Sequence, residues 1–230
     1  MKSFLATSLI AFLSLVPVTA GTIRGTVQAE GKAEAQESSA GGKYDSRKYK
    51  FAERVNYAEL RDFVVCIEGP VAGATNAPDK TVRVETKRVN QKAATFSPHV
   101  LPVVAGTTVE WPNNDDIFHN VFSMSEAKPF DLGLYKRPEV KRVTFDKAGR
   151  VDVFCSIHAN MKCIVLVVEN PFFTVTDEAG RYAITNVPPG TYKLKAWHER
   201  LPSQVQEITV PEKGEVNMSF TLGIKNLPKY

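Results

Sequence analysis

The feature that most constrains the fold is a succession of short apolar runs bounded by glycine, proline or asparagine. These runs alternate apolar and polar residues or are rich in β-branched residues, as strands are. They are residues 22–27, 63–67, 81–86, 107–111, 140–145, 151–154, 162–168, 192–197, 205–210 and 216–222. Helical periodicity is weak, and only residues 51–60 carry an apolar stripe, which is ambiguous. The pattern predicts an all-β protein built from sandwiches or barrels.

The N-terminus has the composition of a secretory signal peptide. Lys2 precedes an apolar run over residues 4–18, and residues 18–20 (VTA) have the small side chains of a cleavage site. The run is too short and too interrupted by serine to span a membrane, and no later stretch approaches ~20 apolar residues. We therefore expect residues 1–20 to be a signal peptide cleaved after Ala20, and the mature protein to be periplasmic, without a membrane span.

Composition limits the chemistry that is available. Lys and Arg number 29 against 25 Asp and Glu, and this net charge of +4 is too small to indicate a nucleic-acid partner. The chain has only 3 cysteines and 4 histidines. A metal or catalytic site must therefore be built from these seven residues together with carboxylates and methionines.

One constellation brings these residue types together. Cys155, His158 and Met161 have the spacing C-x2-H-x2-M directly after a predicted strand, and His119 begins an earlier apolar run. Two histidines, one cysteine and a weak axial methionine are the ligands of mononuclear blue-copper electron-transfer sites. A thiolate at a strand end followed by a tight turn lets the next ligands return to the same point, while His119 comes from a neighbouring strand. We predict one type 1 copper per chain, held by His119, Cys155, His158 and Met161.

These residues lead to a family resemblance. Residues 81–170 resemble the cupredoxins, and the ligand loop is most similar to those of the amicyanins and plastocyanins. The matching stretches are residues 96–98 (FSP), 106–109 (GTTV), 111–114 (WPNN), 119–122 (HNVF) and the ligand loop. The resemblance implies a Greek-key β-sandwich with copper at one end, bound by the same four residues.

Two further pairings are open to prediction. Asn120 and Ser156 each follow a ligand, so a bond between their side chains would tie the two ligand loops. Cys66 and Cys163 remain after Cys155 is assigned to the metal, and they form either a disulfide or two buried free thiols. Of these two alternatives, we favour the disulfide. His99 is expected at the surface near a strand end, and His198 far from the metal.

The C-terminal segment resembles a different family. Residues 172–222, which include FTVTDEAGRYAITNVPPGTYKLKAW, are similar to the carboxypeptidase regulatory-like domain, a small transthyretin-like β-sandwich. Residues 21–27 (GTIRGTV) look like the first strand of such a domain, so the cupredoxin is either inserted in this sandwich or placed in tandem with it. The expected organisation is residues 1–20, signal peptide; 21–80, N-terminal strand, linker and possible first part of the second sandwich; 81–170, cupredoxin domain; 171–230, regulatory-like domain.

The function expected from this organisation is electron transfer. Copper would cycle between Cu(II) and Cu(I), with the edge of His158 as the exit toward exported redox proteins such as a cytochrome or a dehydrogenase. Basic residues that would steer an acidic partner are Lys128, Lys136, Arg137, Lys141 and Arg142. The alternative is a copper carrier or donor without electron transfer. No enzyme is expected because the chain has neither the H-x-H pairs of multicopper oxidases nor an H-x-x-E zinc motif. A monomer is expected.

Overall fold

The computed structural model describes residues 20–31, 56–71 and 87–223. Within these ranges the chain is almost entirely β-structure, which confirms the predicted fold class. The strands are β1 (Gly21–Glu30), β2 (Val64–Ile67), β3 (Lys87–Arg88), β4 (Asn90–Lys92), β5 (Thr95–Ser97), β6 (Val100–Val104), β7 (Thr107–Pro112), β8 (His119–Ser123), β9 (Phe130–Tyr135), β10 (Val140–Phe145), β11 (Gly149–Phe154), β12 (Lys162–Val168), β13 (Phe173–Val175), β14 (Arg181–Val187), β15 (Gly190–His198), β16 (Leu201–Val210), β17 (Glu215–Asn217) and β18 (Phe220–Gly223).

Some sequence predictions fall outside this part of the chain, and one strand differs. The predicted strand 81–86 and residues 1–19 of the predicted signal peptide lie outside the described residues. The ambiguous stripe 51–60 contributes a 3-10 turn, Tyr57–Glu59, while residues 51–55 are also outside. The predicted strand 216–222 is two strands, β17 and β18. The β-structure is interrupted at Met218, whose carbonyl accepts the Tyr182 hydroxyl.

Two sheets form the unit that we call the central sandwich, residues 87–168. One sheet has the order β10-β7-β3 and the other β6-β12-β11-β8-β9, with the hairpin β4–β5 beside them. Inward-facing apolar residues of both sheets form its core, which includes Trp111, Phe145 and Val153, each at 0% exposure. This alternation of inward apolar and outward polar residues explains why period-2 patterns located these strands.

The remaining strands form the flanking sandwich, residues 21–30, 64–67 and 173–223. Its sheets have the orders β14-β1-β17, with β18 also paired to β1, and β13-β2-β15-β16. Strand β1 therefore pairs with C-terminal strands β14, β17 and β18. That is the pairing which the insertion hypothesis requires of residues 22–27.

Strand β12 joins the two sandwiches because it is buried on both faces. Cys163, Val165 and Val167 point into the core of the central sandwich. Ile164, Leu166 and Val168 point the other way, into a separate apolar cluster shared with the flanking sandwich. Within the described ranges, no helix has the length and apolar character needed to cross a membrane.

Candidate metal centre

The predicted ligand loop is the turn that connects β11 to β12. The two strands are antiparallel, with Phe154 opposite Lys162, so the residues just beyond them face each other across the hairpin end. The amide of Cys155 donates to the Met161 carbonyl at 3.1 Å, and the amide of Met161 donates to the His158 carbonyl at 3.0 Å. These two bonds close the turn, so the backbones of its three predicted ligands lie close together.

His119 reaches the same point from another strand. It is the first residue of β8, which lies next to β11 in the sheet through the pairing of Phe122 with Phe154. Its side chain is fully buried, and Cys155 is 6% exposed. The ligand atoms of His119, Cys155 and His158 all lie within 4.8 Å of one another. The structure thus brings together three of the four residues predicted from the sequence.

The distances among these groups define a small cluster of donors. The Nδ1 atoms of His119 and His158 are 3.1 Å apart, and Nδ1 of His158 is 3.6 Å from Sγ of Cys155. Met161 is 1% exposed and belongs to the same apolar cluster as Cys155. Its role as the fourth ligand stays a prediction.

The hydrogen bonding of His119 indicates that this cluster is suited to a metal. Its Nε2 lies 2.8 Å from Oδ2 of Asp115, and because a carboxylate only accepts, Nε2 carries the hydrogen. Nδ1 is then left with a lone pair that is directed at His158 and the thiol. Converging imidazole nitrogens and a cysteine sulfur form a donor set that suits copper, so the residues fit this metal.

Asp115 is a functional candidate that the sequence reasoning missed. Besides His119, its carboxylate accepts the amides of Ala93 at 2.8 Å and of Ala94 at 3.0 Å. These two alanines form the β4–β5 turn at φ values of 52° and 50°, a left-handed conformation that aims both amides at the carboxylate. Burial opposes the ionisation of Asp115, but the bonds from Ala94, His119 and Ala93 keep the pKa of its carboxyl below the ordinary value. The signal in the sequence was its position four residues before His119, in the run NNDD.

The predicted tie between Asn120 and Ser156 is wrong. Asn120 is buried, and its amide donates to Oδ1 of Asp131 on the neighbouring strand β9 at 2.6 Å. Ser156 is exposed. The pairing of β8 with β9 directs Asn120 toward Asp131, so among the described residues it is Asp115 that binds a ligand side chain from outside the cluster.

The predicted disulfide is also wrong, because Cys66 and Cys163 are free thiols. Cys163 points into the core of the central sandwich, whereas Cys66 lies in the cluster between the sandwiches. Burial raises the pKa of the Cys66 thiol to about 11 and raises that of Cys163 further, so neither is a thiolate at neutral pH.

The other two histidines lie away from the cluster, as expected. His99 is partly exposed just before β6 and lies 2.9 Å from a carboxylate oxygen of Glu199. His198 is 5% exposed at the end of β15 in the flanking sandwich. His99 takes part in a contact between the two sandwiches, whereas His198 packs on Phe63 within the flanking sandwich.

The basic residues proposed to steer a partner are mostly paired within the protein. Lys128, Arg137, Lys141 and Arg142 form ion pairs with Asp146, Asp116, Glu139 and Glu110, respectively. Lys136 stands 5.2 Å above the Phe118 ring. Because nearby carboxylates compensate four of the five charges, these residues contribute little long-range attraction.

Exposed apolar side chains adjoin the candidate ligands in the chain or on the neighbouring strand, a feature that sequence reasoning missed. His158 is partly exposed, whereas His119 is fully buried. Large apolar residues that are about half exposed occur next to the ligands along the chain or on the neighbouring strand. They are Ile117, Phe118, Leu134 and Ile157. Such residues are recognisable as apolar from the sequence, but their exposure is not.

Comparison with protein families gives two matches. Residues 82–168 match the copper binding proteins of the plastocyanin/azurin family. Residues 164–223 match the carboxypeptidase regulatory-like domain. Both matches fall where the sequence showed its two resemblances, which they confirm. No relative was found among curated protein sequences.

Solved structures with similarity to the chain include an amicyanin variant, a purple cupredoxin and a copper-containing nitrite reductase. A reduced amicyanin variant is 24% identical, with 38% of this chain and 86% of that chain covered, at a TM-score of 0.35. A purple cupredoxin from Nitrosopumilus maritimus is 25% identical, with 35% and 98% covered and a TM-score of 0.32. A copper-containing nitrite reductase from Thermus scotoductus is 28% identical, with 45% and 28% covered and a TM-score of 0.37.

Proposed function

We propose a function from the premise that residues 82–168 form a copper-binding domain of the plastocyanin/azurin family, joined to a carboxypeptidase regulatory-like domain. The cofactor is copper. The protein is an exported, periplasmic electron carrier, and its copper ligands are His119, Cys155, His158 and Met161. The observation that carries this proposal is the convergence of two imidazoles and one thiol within 4.8 Å at a closed hairpin end.

The chain's own residues supply what rapid electron transfer needs, which is a site that does not rearrange. Copper, when bound, supplies one-electron chemistry between Cu(II) and Cu(I). Asp115 fixes the ring of His119, and the two backbone bonds of the turn fix Cys155 and Met161. His119, Cys155 and Met161 are almost completely buried, so these three side chains would hold the copper shielded from water.

His158 is the proposed route for the electron. Of the two histidines in the cluster it is the one that reaches the surface, and exposed Ile117, Phe118 and Ile157 precede the two histidines along the chain. This apolar rim, which is bordered by Lys136 and by the Asp116–Arg137 ion pair, is a small docking surface, and small interfaces dissociate quickly. The proposed partners are exported redox proteins such as a cytochrome or a dehydrogenase, and the protein itself is proposed to be a monomer and not an enzyme.

We also propose that the copper domain is inserted in the regulatory-like sandwich. Strands β1 and β2 precede the copper domain in sequence, yet they pair with β14 and with β13 and β15, which follow it. The regulatory-like domain would then comprise residues 21–80 in part and residues 171–230.

The test is the visible spectrum of the purified chain after loading with Cu(II). We expect an intense thiolate-to-copper band that is absent from Cys155→Ala and retained in Cys66→Ala, a matched loss of a thiol from the interface with the flanking sandwich. Repeated reduction and reoxidation should leave the copper content unchanged. Stoichiometric copper without this band would contradict the blue-copper assignment, while loss of copper upon reduction would favour the alternative function of a copper donor.

A further inference from the structure

The two sandwiches meet through an apolar contact that ends in a polar one. The apolar cluster combines residues of the central sandwich with residues of the flanking sandwich. They are Val100, Ile164, Leu166 and Val168 from the former and Val64, Cys66 and Trp197 from the latter. The removal of these side chains from water stabilises the contact between the two sandwiches.

The polar contact is made by the turn between β15 and β16, which we call the hairpin tip (residues 198–201). Glu199 makes two bonds to the central sandwich from this tip. Its carboxylate lies 2.9 Å from Nε2 of His99, and its carbonyl accepts Nη1 of Arg150 at 3.1 Å. The guanidinium of Arg150 also stands 5.9 Å from the centre of the Trp197 ring and is oriented by Asp152. The tip thus closes one end of the interface.

His198 supports the tip from beneath. It is 5% exposed, and its ring packs on Phe63 at a centroid distance of 5.0 Å. Its Nδ1 accepts the amide of Arg200 at 3.2 Å, which requires a neutral ring because imidazolium has no acceptor. The turn that presents Glu199 is therefore built on an uncharged histidine.

We propose that the hairpin tip is an acid-released latch between the two sandwiches, closed when Glu199 is ionised and His198 is neutral, and loosened when either gains a proton. A proton on Glu199 removes the charge that attracts His99. A proton on His198 removes the acceptor for Arg200 and places a charge against Phe63. Both events weaken the same turn, and both occur as the pH falls.

The surroundings of the two groups agree with this direction. Burial lowers the pKa of His198, although Glu199 and Asp62 nearby favour its charged form and Arg200 opposes it, while the Arg61 carbonyl also faces it. Burial opposes the ionisation of Glu199, but the bond and charge of His99, with Lys162 and His198, hold its pKa below the ordinary value. Arg150 faces Glu199 from β11.

The sign follows from proton linkage. A neutral buried histidine takes up a proton less readily in the folded chain than in the unfolded chain, so its stabilisation falls as the pH drops below about 6.5. A carboxylate with a lowered pKa loses its contribution further down, as the pH falls below about 4.3 and through its own folded value. The latch should therefore begin to open in mildly acidic solution and open further with acid.

Hydrogen–deuterium exchange on the full chain tests the proposal without reference to electron transfer. Protection is measured for peptides that contain the tip (residues 198–201) and β2, and is normalised at each pH to the unfolded chain. Between about pH 7.5 and pH 5.5 we expect protection to fall roughly tenfold at these peptides, which is the change expected when His198 takes up a proton at about pH 6.5 in the opened chain only. Strand β14, on the opposite sheet of the flanking sandwich, should keep its protection.

Two substitutions test the contact between Glu199 and His99. Glu199→Gln should show the lower protection already at about pH 7.5, and His99→Gln should match it, with no added loss in the double variant. Glu207→Gln, an exposed carboxylate further along β16, is the matched control and should behave as the wild-type protein. Protection that does not change with pH in the wild-type chain, or a Glu199→Gln variant indistinguishable from it, would overturn the proposal. A failed copper spectrum would leave this result unaffected.

Discussion

The two sandwiches differ in what they bury. The central sandwich contains six buried polar or charged side chains, namely Gln91, Glu110, Asn113, His119, Asn120 and Ser123, whereas two are associated with the flanking sandwich, His198 and Asn170, the latter through bonds to the Ile67 and Gly69 carbonyls. The core of the flanking sandwich is formed by apolar residues. Since burying a polar group destabilises a fold unless the group is hydrogen-bonded, the difference locates the functional demands in the central sandwich.

The buried polar groups of the central sandwich form connected hydrogen bonds, one of which reaches His119 through Asp115. Gln91 donates to the Tyr135 hydroxyl at 2.6 Å, and that hydroxyl donates to the Trp111 carbonyl at 2.8 Å. Asn113 donates to the Tyr135 carbonyl and accepts the amide of Asp115, which in turn binds His119. Such networks fix one arrangement of the backbone. The central sandwich therefore holds its side chains in defined positions, whereas the flanking sandwich is stabilised mainly by apolar packing.

The largest expected effect is a loss of stability after a substitution in the core of the flanking sandwich. Leu194 is fully buried in the core of the flanking sandwich, and Leu194→Ala should lower the free energy of unfolding by about 2–5 kcal/mol through lost burial and a residual cavity. Denaturant unfolding measures the change. The folded variant should keep the visible copper spectrum of the wild-type protein.

The matched control for this prediction is Leu194→Met, which conserves volume and should cost less than about 1.5 kcal/mol. If Leu194→Ala lost its copper spectrum in solutions where it is folded, packing in the flanking sandwich would also control the candidate metal centre. The contrast drawn between the two sandwiches would then be wrong.

An intermediate effect is expected at Asp115. Asp115→Asn removes the charge that orients the His119 ring and should reduce copper affinity by roughly 10–100-fold while changing stability little. Competition with a chelator measures the affinity. The control is Asp116→Asn at the neighbouring carboxylate, whose side chain is 82% exposed and pairs with Arg137. Equal losses in both variants would mean that charge near the site matters and the bond to His119 does not.

The smallest expected effect concerns the thiols, because reduction should not change the number of cysteines that can be alkylated. Because Cys66 and Cys163 face different apolar clusters, the chain unfolded with a chelator and no reductant should take up an alkylating reagent on all three cysteines. Mass spectrometry before and after reduction should give the same count. A single modified cysteine without reductant would show a bridge, which typically adds 2–5 kcal/mol, and would tie the sandwiches covalently.

Local features of the chain were largely predictable. The β11–β12 hairpin follows from two alternating apolar runs and a short turn, and the C-x2-H-x2-M spacing then places Cys155 and His158 together. The partners of Asn120 and of the spare cysteines were not predictable in this way. Asn120 bonds to Asp131 because β8 lies beside β9, and no local spacing encodes that neighbour.

The sequence by itself determined the all-β class, most strand positions and the residues that converge at the candidate metal centre, because period-2 patterns and ligand spacing act over a few residues. The tertiary structure decided which groups from distant parts of the chain contact these residues. It brought the Ala93–Ala94 turn to Asp115, turned the two faces of β12 into two different cores, and set Glu199 against His99, 100 residues away. These contacts depend on sheet order and on the packing of one sandwich against the other, which arise from the burial of many side chains at once.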